Sequence, residues 1–124
     1  VDAASRIAID LGMSQTLVGL TIVSIGTSLP ELGTSLVAAR KNEIDMAVGN
    51  AVGSNIFNIL MVLGIAASIS PVALLTVNLI DILVLIGFSI LVLVYAITSR
   101  KVTRTEGASM VCLYLIYTIY IILR

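Results

Sequence analysis

The sequence predicts an all-α membrane protein with four transmembrane helices. Of its 124 residues, 59% are apolar and 11% are charged, whereas a soluble domain typically carries about 25% charged residues. The mean hydropathy is +1.15, and the charged residues fall in short clusters that separate long apolar runs. These runs do not alternate in segments of about ten residues, as the strands of membrane barrels do. We therefore expect helices.

Four apolar runs are long enough to cross a bilayer, because a transmembrane helix needs about 20 residues. They lie between Gln15 and Arg40, Asp45 and Ser70, Val72 and Ser99, and Gly107 and Arg124. Residues 1–13 show helical spacing of apolar residues but are too short to span, so we expect them to end a preceding transmembrane helix of a longer protein. The expected organisation is this tail at 1–13, a pair of interrupted helices at 14–68, and two further transmembrane helices at 69–124.

The distribution of Lys and Arg predicts the orientation, because cytoplasmic loops are enriched in these residues. Most of the basic residues fall in the two turns that would lie on one side of the membrane, leaving only Arg6 and Arg124 on the other. We expect these two turns in the cytoplasm and an extracytoplasmic C-terminus. The short loops favour a prokaryotic plasma membrane. The basic residues of the two turns are Arg40, Lys41, Arg100, Lys101 and Arg104.

Composition also excludes several classes of function. The seven basic and seven acidic residues leave no net charge, so the basic surface that binds nucleic acid is missing. The chain has no histidine and a single cysteine, Cys112, which removes histidine-dependent hydrolysis and thiolate metal cages. We expect no enzyme, no organic cofactor and no nucleic-acid partner, with membrane lipid as the surroundings.

The first two spans are predicted to be interrupted near their centres. Pro30, within GTSLPE at 26–31, cannot donate a backbone hydrogen bond and disfavours a regular helix before it, and the second span carries GNAVGSN at 49–55. Irregular backbone inside a bilayer normally lines a protein-enclosed cavity, so two adjacent interruptions predict a site. Two glycine patterns predict close helix packing: Gly12, Gly19, Gly26 and Gly33 at seven-residue spacing, and Gly49 with Gly53 as a GxxxG pair.

Glu31 is the most informative residue, because a carboxylate at the bilayer centre costs at least about 2.5 kcal/mol. Polar residues flank it at helical spacing on the first span and share one arc of the second: Thr27, Ser28, Thr34 and Ser35 on the first, and Asn50, Ser54 and Asn58 on the second. Carboxylate, hydroxyl and amide oxygens are the ligands that Ca²⁺ and Na⁺ prefer. Two simpler interpretations stay open, a protonated Glu31 bonded between helices and polar residues that only pack the helices.

The fourth and third spans carry further polar residues near their predicted outer ends. For Asp81, pairing or partial hydration is as reasonable an expectation as function. Tyr114, Tyr117 and Tyr120 follow at three-residue spacing, and we expect them to pack, with Tyr120 as an interfacial anchor.

Residues 26–64, GTSLPELGTSLVAARKNEIDMAVGNAVGSNIFNILMVLG, resemble an α-repeat of the sodium/calcium exchanger family, within the calcium/cation antiporter superfamily. The order of the later spans resembles the C-terminal half of those proteins, so the resemblance covers nearly the whole chain. It implies one half of a ten-helix inverted-repeat antiporter, with this chain containing the second α-repeat. The implied partner is the complementary N-terminal half with the first α-repeat, and residues 1–13 match the end of the sixth helix.

The resemblance also implies the ions and the residues that bind them. Glu31 matches the family's principal Ca²⁺-binding carboxylate, and Thr27, Ser28 and Ser54 match residues that supply oxygens to Ca²⁺ or Na⁺. Asn58 stands where many second repeats have Asp, which leaves the counter-ion open. The implied activity is exchange of Na⁺ for Ca²⁺ by alternating access at a midplane site. The alternatives are a Ca²⁺/H⁺ or other cation antiporter half with Glu31 as the proton carrier, and a non-transporting helical assembly module.

Overall fold

The structure is a computed structural model that describes the backbone of residues 1–124 and every side chain except that of Ser99. The described residues form helices and connecting turns, grouped into two units, Val1–Pro71 and Val72–Arg124. The α-helices are α1 Asp2–Asp10, α2 Gln15–Val18, α3 Ser24–Arg40, α4 Ile44–Phe57, α5 Leu63–Ile69, α6 Thr76–Ser99 and α7 Arg104–Leu123, and π-helical segments cover Gly19–Val23 and Asn58–Val62.

Four helical segments are long and apolar enough to cross a membrane, which confirms the predicted number of spans. They are Gln15–Arg40, Ile44–Ile69, Thr76–Thr98 and Arg104–Leu123. The fourth begins earlier than predicted because Thr103 caps it. The Thr103 hydroxyl accepts a hydrogen bond from the Glu106 backbone N–H at 3.3 Å, and the Glu106 carboxylate accepts one from the Thr103 N–H at 2.7 Å. This reciprocal capping box satisfies backbone donors that the first helical turn leaves free.

Large apolar side chains lie on the outside of both units. Leu60 and Leu83 are 68% and 67% exposed, whereas the buried apolar residues among the described side chains are few: Ala8, Val18, Ala38 and Ile121. In water such a surface would be costly. Lipid tails are as apolar as leucine, so no hydrophobic force drives these side chains inward in a bilayer. The exposed surface is therefore typical of membrane helices.

The turn between α3 and α4 determines how the first two spans face each other. Asn42 adopts a positive φ of 60°, which Asn tolerates better than most residues. The Glu43 N–H donates to the Ala38 carbonyl at 2.9 Å, and the Asn42 N–H donates to the Ala39 carbonyl at 3.2 Å. These two bonds are the Schellman arrangement that ends a helix and reverses the chain. The turn thus sets the register of α4 against α3.

Irregular backbone occurs in both of the first two spans, but not where the sequence predicts it. α3 continues as an α-helix through Pro30, and residues 49–55 lie within α4. The irregular turns are instead the π-helical segments Gly19–Val23 and Asn58–Val62, which lie further from the α3–α4 turn. A π-helical turn needs only a shifted backbone hydrogen bond, so no residue type identifies it in advance.

Close packing at the predicted glycines is seen at one position. A Cβ at Gly26 would lie 2.6 Å from Val1 Cγ2, so Val1 packs directly against the first span there. At the other five predicted glycines a Cβ would meet no atom of the described residues within 4 Å. The close approach at Gly26 is to Val1 and not to a second span, so the predicted close packing of helices stays a prediction.

Candidate cation site

The candidate site lies where α3 packs against α4 and centres on Glu31. This residue is half-buried, and its Oε2 atom is buried with no hydrogen-bond partner among the described residues. Leaving a buried acceptor unsatisfied costs about 1–3 kcal/mol, and more for a charged group. A buried carboxylate oxygen without a hydrogen-bond partner inside a span is available to coordinate a cation.

Asn50 connects the backbone of Glu31 to the neighbouring helix. Its Nδ2 donates to the Glu31 backbone carbonyl at 2.9 Å and to Ser35 Oγ at 3.0 Å. The Ser35 hydroxyl donates in turn to the Ala47 carbonyl at 3.4 Å. Among the described residues these are the side-chain hydrogen bonds that cross from α3 to α4. They connect α4 to the segment of α3 between Glu31 and Ser35.

Thr27 and Ser28, the predicted oxygen donors on α3, are both exposed. The Thr27 hydroxyl donates to the backbone carbonyls of Val23 at 2.9 Å and Ser24 at 3.1 Å. Because its hydrogen is directed at the backbone, the lone pairs of its oxygen remain available to coordinate a cation. The Ser28 hydroxyl makes no hydrogen bond among the described residues. Neither residue bonds to the Glu31 carboxylate within that part of the chain.

Ser54 and Asn58, the predicted donors on α4, contact each other. Asn58 Nδ2 donates to Ser54 Oγ at 3.5 Å, and Ser54 is half-buried while Asn58 is exposed. No hydrogen bond within the described residues joins this pair to Glu31. The structure thus brings Asn50 and Ser35 to Glu31, and the sharing of one ion among Glu31, Thr27, Ser28, Ser54 and Asn58 stays a prediction.

Asn50 and Ser35 lie on the predicted polar faces, but the resemblance does not include them among the ion-binding residues. The visible signal is the four-residue spacing of Asn50, Ser54 and Asn58, which puts the three on one arc of α4. Their partners depend on the register that the turn at Asn42 sets, and spacing along one helix does not contain that register.

Carboxylates also do not cluster at this site. Within the described residues, no group of three or more His, Cys, Asp or Glu side chains is close enough to hold a metal. Because Ca²⁺ takes six to eight oxygen ligands, Glu31 would need hydroxyl, amide and carbonyl oxygens around it. Oxygen ligands of this kind suit hard cations better than soft transition metals.

Asp81 in the second unit is fully paired. Its Oδ1 accepts hydrogen bonds from Arg124 Nη1 at 2.8 Å and the Tyr117 hydroxyl at 2.9 Å, and its Oδ2 accepts one from Arg124 Nη2 at 2.8 Å. The guanidinium also lies 5.6 Å from the centre of the Tyr120 ring. Of the expectations for Asp81, the structure therefore favours pairing.

Four helical segments long and apolar enough to cross a membrane are typical of an integral membrane protein. Comparison with known proteins identifies the family. Residues 1–123 match the family described as "Sodium/calcium exchanger protein". The chain therefore belongs to the sodium/calcium exchanger family, whose members are cation antiporters and not enzymes. This confirms the family that the sequence resemblance indicates.

Each similarity covers most of this chain but less than a third of the relative's own length. The sodium/calcium exchanger MaX1 of Methanosarcina acetivorans is 36% identical over 88% of this chain and 31% of its own length. The sodium/potassium/calcium exchanger 1 of Gallus gallus is 35% identical over 94% of this chain and 19% of its own length. The inner membrane protein YrbG of Escherichia coli is 52% identical over 57% of this chain and 22% of its own length. The chain thus spans between 19% and 31% of the length of these relatives. No solved structure gives a significant match.

Proposed function

We propose that this chain is one half of an antiporter that exchanges Na⁺ for Ca²⁺ at a site centred on Glu31. The observation that carries the proposal is the buried Glu31 Oε2 without a hydrogen-bond partner among the described residues, inside a span of a sodium/calcium exchanger family member. A carboxylate is retained at such a depth where it serves an ion pathway.

The proposed ligands are Glu31, Thr27, Ser28, Ser54 and Asn58. Glu31 supplies the negative charge, and the other four supply neutral hydroxyl, amide or neighbouring backbone oxygens. This hard-donor set suits Na⁺ and Ca²⁺ alike. One carboxylate balances one Na⁺ but only half of the charge of Ca²⁺. Because both ions prefer oxygen ligands, they compete for the same site. Because Ca²⁺ carries two charges, a second carboxylate has to come from outside this set.

The complementary half, with the first α-repeat, is the proposed source of that second carboxylate. Ten helices in two inverted halves would place both sites at the bilayer midplane and expose them to each side in turn. The relatives support this proposal, because the chain matches only 31% of MaX1 and 19% of the Gallus gallus exchanger.

The proposed location is a prokaryotic plasma membrane with an extracytoplasmic C-terminus. Five of the seven Lys and Arg residues lie in the turns that would be cytoplasmic, as the positive-inside rule requires. Relatives from Escherichia coli and Methanosarcina acetivorans support a prokaryotic setting.

Flux in proteoliposomes tests the proposal. The natural full-length protein that contains this sequence is reconstituted, loaded with Na⁺ and diluted into Na⁺-free medium with labelled Ca²⁺. An outward Na⁺ gradient should drive Ca²⁺ uptake, whereas a pH gradient alone should not. The protein-free liposome and a liposome with equal Na⁺ on both sides are the controls.

The other outcomes separate the two alternative functions. Uptake driven by a pH gradient and not by Na⁺ would contradict Na⁺ exchange and favour a Ca²⁺/H⁺ antiporter with Glu31 as the proton carrier. Asn58 is the observation behind this alternative, because it provides an amide where many family members have a carboxylate. Uptake driven by neither gradient would favour the helical assembly module.

A further inference from the structure

We propose that Asn50 is a positioning residue for the cation site, which holds Glu31 against α4 without occupying its carboxylate oxygens. The inference rests on the proposed function, because positioning has a consequence only if Glu31 binds an ion. Asn50 itself is assigned no contact with the ion.

The first observation is that Asn50 uses both hydrogens of its amide on one helix. A side-chain amide has two N–H donors, and here the acceptors are the Glu31 carbonyl at 2.9 Å and Ser35 Oγ at 3.0 Å. These acceptors belong to two residues that are one helical turn apart on α3. Because a helix rises 1.5 Å per residue, a slip of α4 by even one residue would strain both bonds together. The amide therefore fixes the register of the two helices beside the site.

The second observation is which oxygen of Glu31 accepts the bond. Asn50 bonds to the backbone carbonyl, while Oε2 of the carboxylate is buried without a hydrogen-bond partner among the described residues. A donor aimed at the carboxylate would compete with a cation for the same lone pairs. A donor aimed at the carbonyl instead restrains the backbone of Glu31 and leaves the carboxylate free. Such preorganisation lowers the entropic cost of binding.

The third observation is that the connection returns to α4. Ser35 accepts from Asn50 and donates to the Ala47 carbonyl at 3.4 Å, so α4 is bonded to α3 at two points one turn apart. Asn50, Ser35 and Glu31 are all half-buried, where water competes less for these bonds than on an open surface. Ser35→Ala removes the Ser35 bonds but keeps the bond to the Glu31 carbonyl, so it offers a graded variant.

The experiment is a Ca²⁺ titration of thermal unfolding on the purified full-length protein, with Ca²⁺-uptake kinetics on the same variants. Loss of the interhelical bonds in Asn50→Ala should raise the half-saturating Ca²⁺ concentration about three- to tenfold. Maximal uptake per folded molecule should be kept. Ser35→Ala should raise the half-saturating concentration less, and Asn50→Gln, which keeps both donors, should recover part of the loss.

Asn55→Ala is the matched control. Asn55 lies on the same helix, is exposed, and makes no side-chain hydrogen bond among the described residues. Its half-saturating concentration should equal that of the unsubstituted protein. Because Ser35→Ala is the milder change, it also tests the inference if Asn50→Ala folds poorly.

Two results would overturn the inference. One is a half-saturating Ca²⁺ concentration that is unchanged in both Asn50→Ala and Ser35→Ala. The other is a lower melting temperature without Ca²⁺ but the same half-saturating concentration in the folded fraction, which is the result of a purely structural role. Glu31→Gln in the same series separates this from failure of the proposed function. If the unsubstituted protein shows no Ca²⁺ response that Glu31→Gln removes, the cation site is wrong and the inference falls with it.

Discussion

The two units each carry a carboxylate inside a membrane span, and they treat it in opposite ways. Asp81 accepts three hydrogen bonds, two from the Arg124 guanidinium and one from the Tyr117 hydroxyl. Glu31 receives a bond only at its backbone carbonyl, and its Oε2 is buried without a partner within the described residues. Removing either carboxylate from water is costly. Only Asp81 has that cost offset by side chains of its own unit.

The contrast separates a structural carboxylate from an ion-binding one. Asp81 already has a counter-charge, so a cation would have to displace Arg124 to bind there. Glu31 has none among the described residues, so a cation gains the full attraction of its charge in a region of low dielectric. The unsatisfied carboxylate is therefore the one that we expect to carry transport.

Removing the charge of each carboxylate should have the largest and most unequal effect. Glu31→Gln keeps the size of the side chain but removes the charge, so Na⁺-driven Ca²⁺ uptake in proteoliposomes should fall to background. The isosteric Asp81→Asn is the matched control, and uptake per folded molecule should persist in it. Equal loss in both variants, or retained uptake in Glu31→Gln, would contradict the division of roles between the two units.

The free energy of unfolding should show the reverse order, with a larger decrease after loss of the Asp81 carboxylate than after loss of the Glu31 carboxylate. Asp81→Ala leaves Arg124 and the Tyr117 hydroxyl without their shared acceptor, and we expect it to lower the free energy of unfolding by about 1–3 kcal/mol. Arg124→Ala should cost a similar amount, and the double variant should cost less than the sum because both remove one interaction. Reversible unfolding in mixed micelles measures this coupling.

Strict additivity of the two substitutions would show that the 2.8 Å ion pair contributes nothing to stability. Glu31→Ala serves as the comparison in the first unit. Since its carboxylate makes no side-chain bond within the described residues, its removal should destabilise less than that of Asp81, measured without Ca²⁺.

The spans could be predicted from the sequence because membrane insertion depends on length and apolarity, which are local properties. The four predicted runs differ from the observed spans by only a few residues. Glu31 could also be identified, since a charge within an apolar run is visible without any fold. The capping box of Thr103 and Glu106 was not predicted, and the predicted fourth span begins after it.

The pairings were beyond the sequence because they join residues that are distant along the chain. Arg124 is 43 positions from Asp81, and Asn50 is 19 from Glu31. Each contact depends on the register of two helices, and that register depends on turns such as the one at Asn42. The sequence predicts a break or a kink at Pro30, and the break is not seen because α3 continues through it. The missing N–H of Pro30 breaks one backbone bond, but whether the helix continues depends on its surroundings.

The smallest expected effect separates the two donors to Asp81. Tyr117→Phe removes the 2.9 Å hydroxyl bond but keeps the ring, which packs edge-on against Phe88 at 6.2 Å and 84°. Both Arg124 bonds also remain. We therefore expect the free energy of unfolding to fall by about 0.5–1.5 kcal/mol, less than for Asp81→Ala, in the same mixed-micelle assay.

Tyr114→Phe is the matched control for this prediction, because Tyr114 lies on the same helix, is exposed, and its hydroxyl makes no hydrogen bond among the described residues. If Tyr117→Phe is no less stable than Tyr114→Phe, Arg124 alone satisfies Asp81, and the contrast between the units reduces to the presence or absence of a cationic partner. If Tyr117→Phe costs as much as Asp81→Ala, the hydroxyl rather than the ion pair is what makes Asp81 tolerable in the membrane. The intermediate value is expected because a neutral donor contributes less to a carboxylate than a guanidinium that binds both of its oxygens.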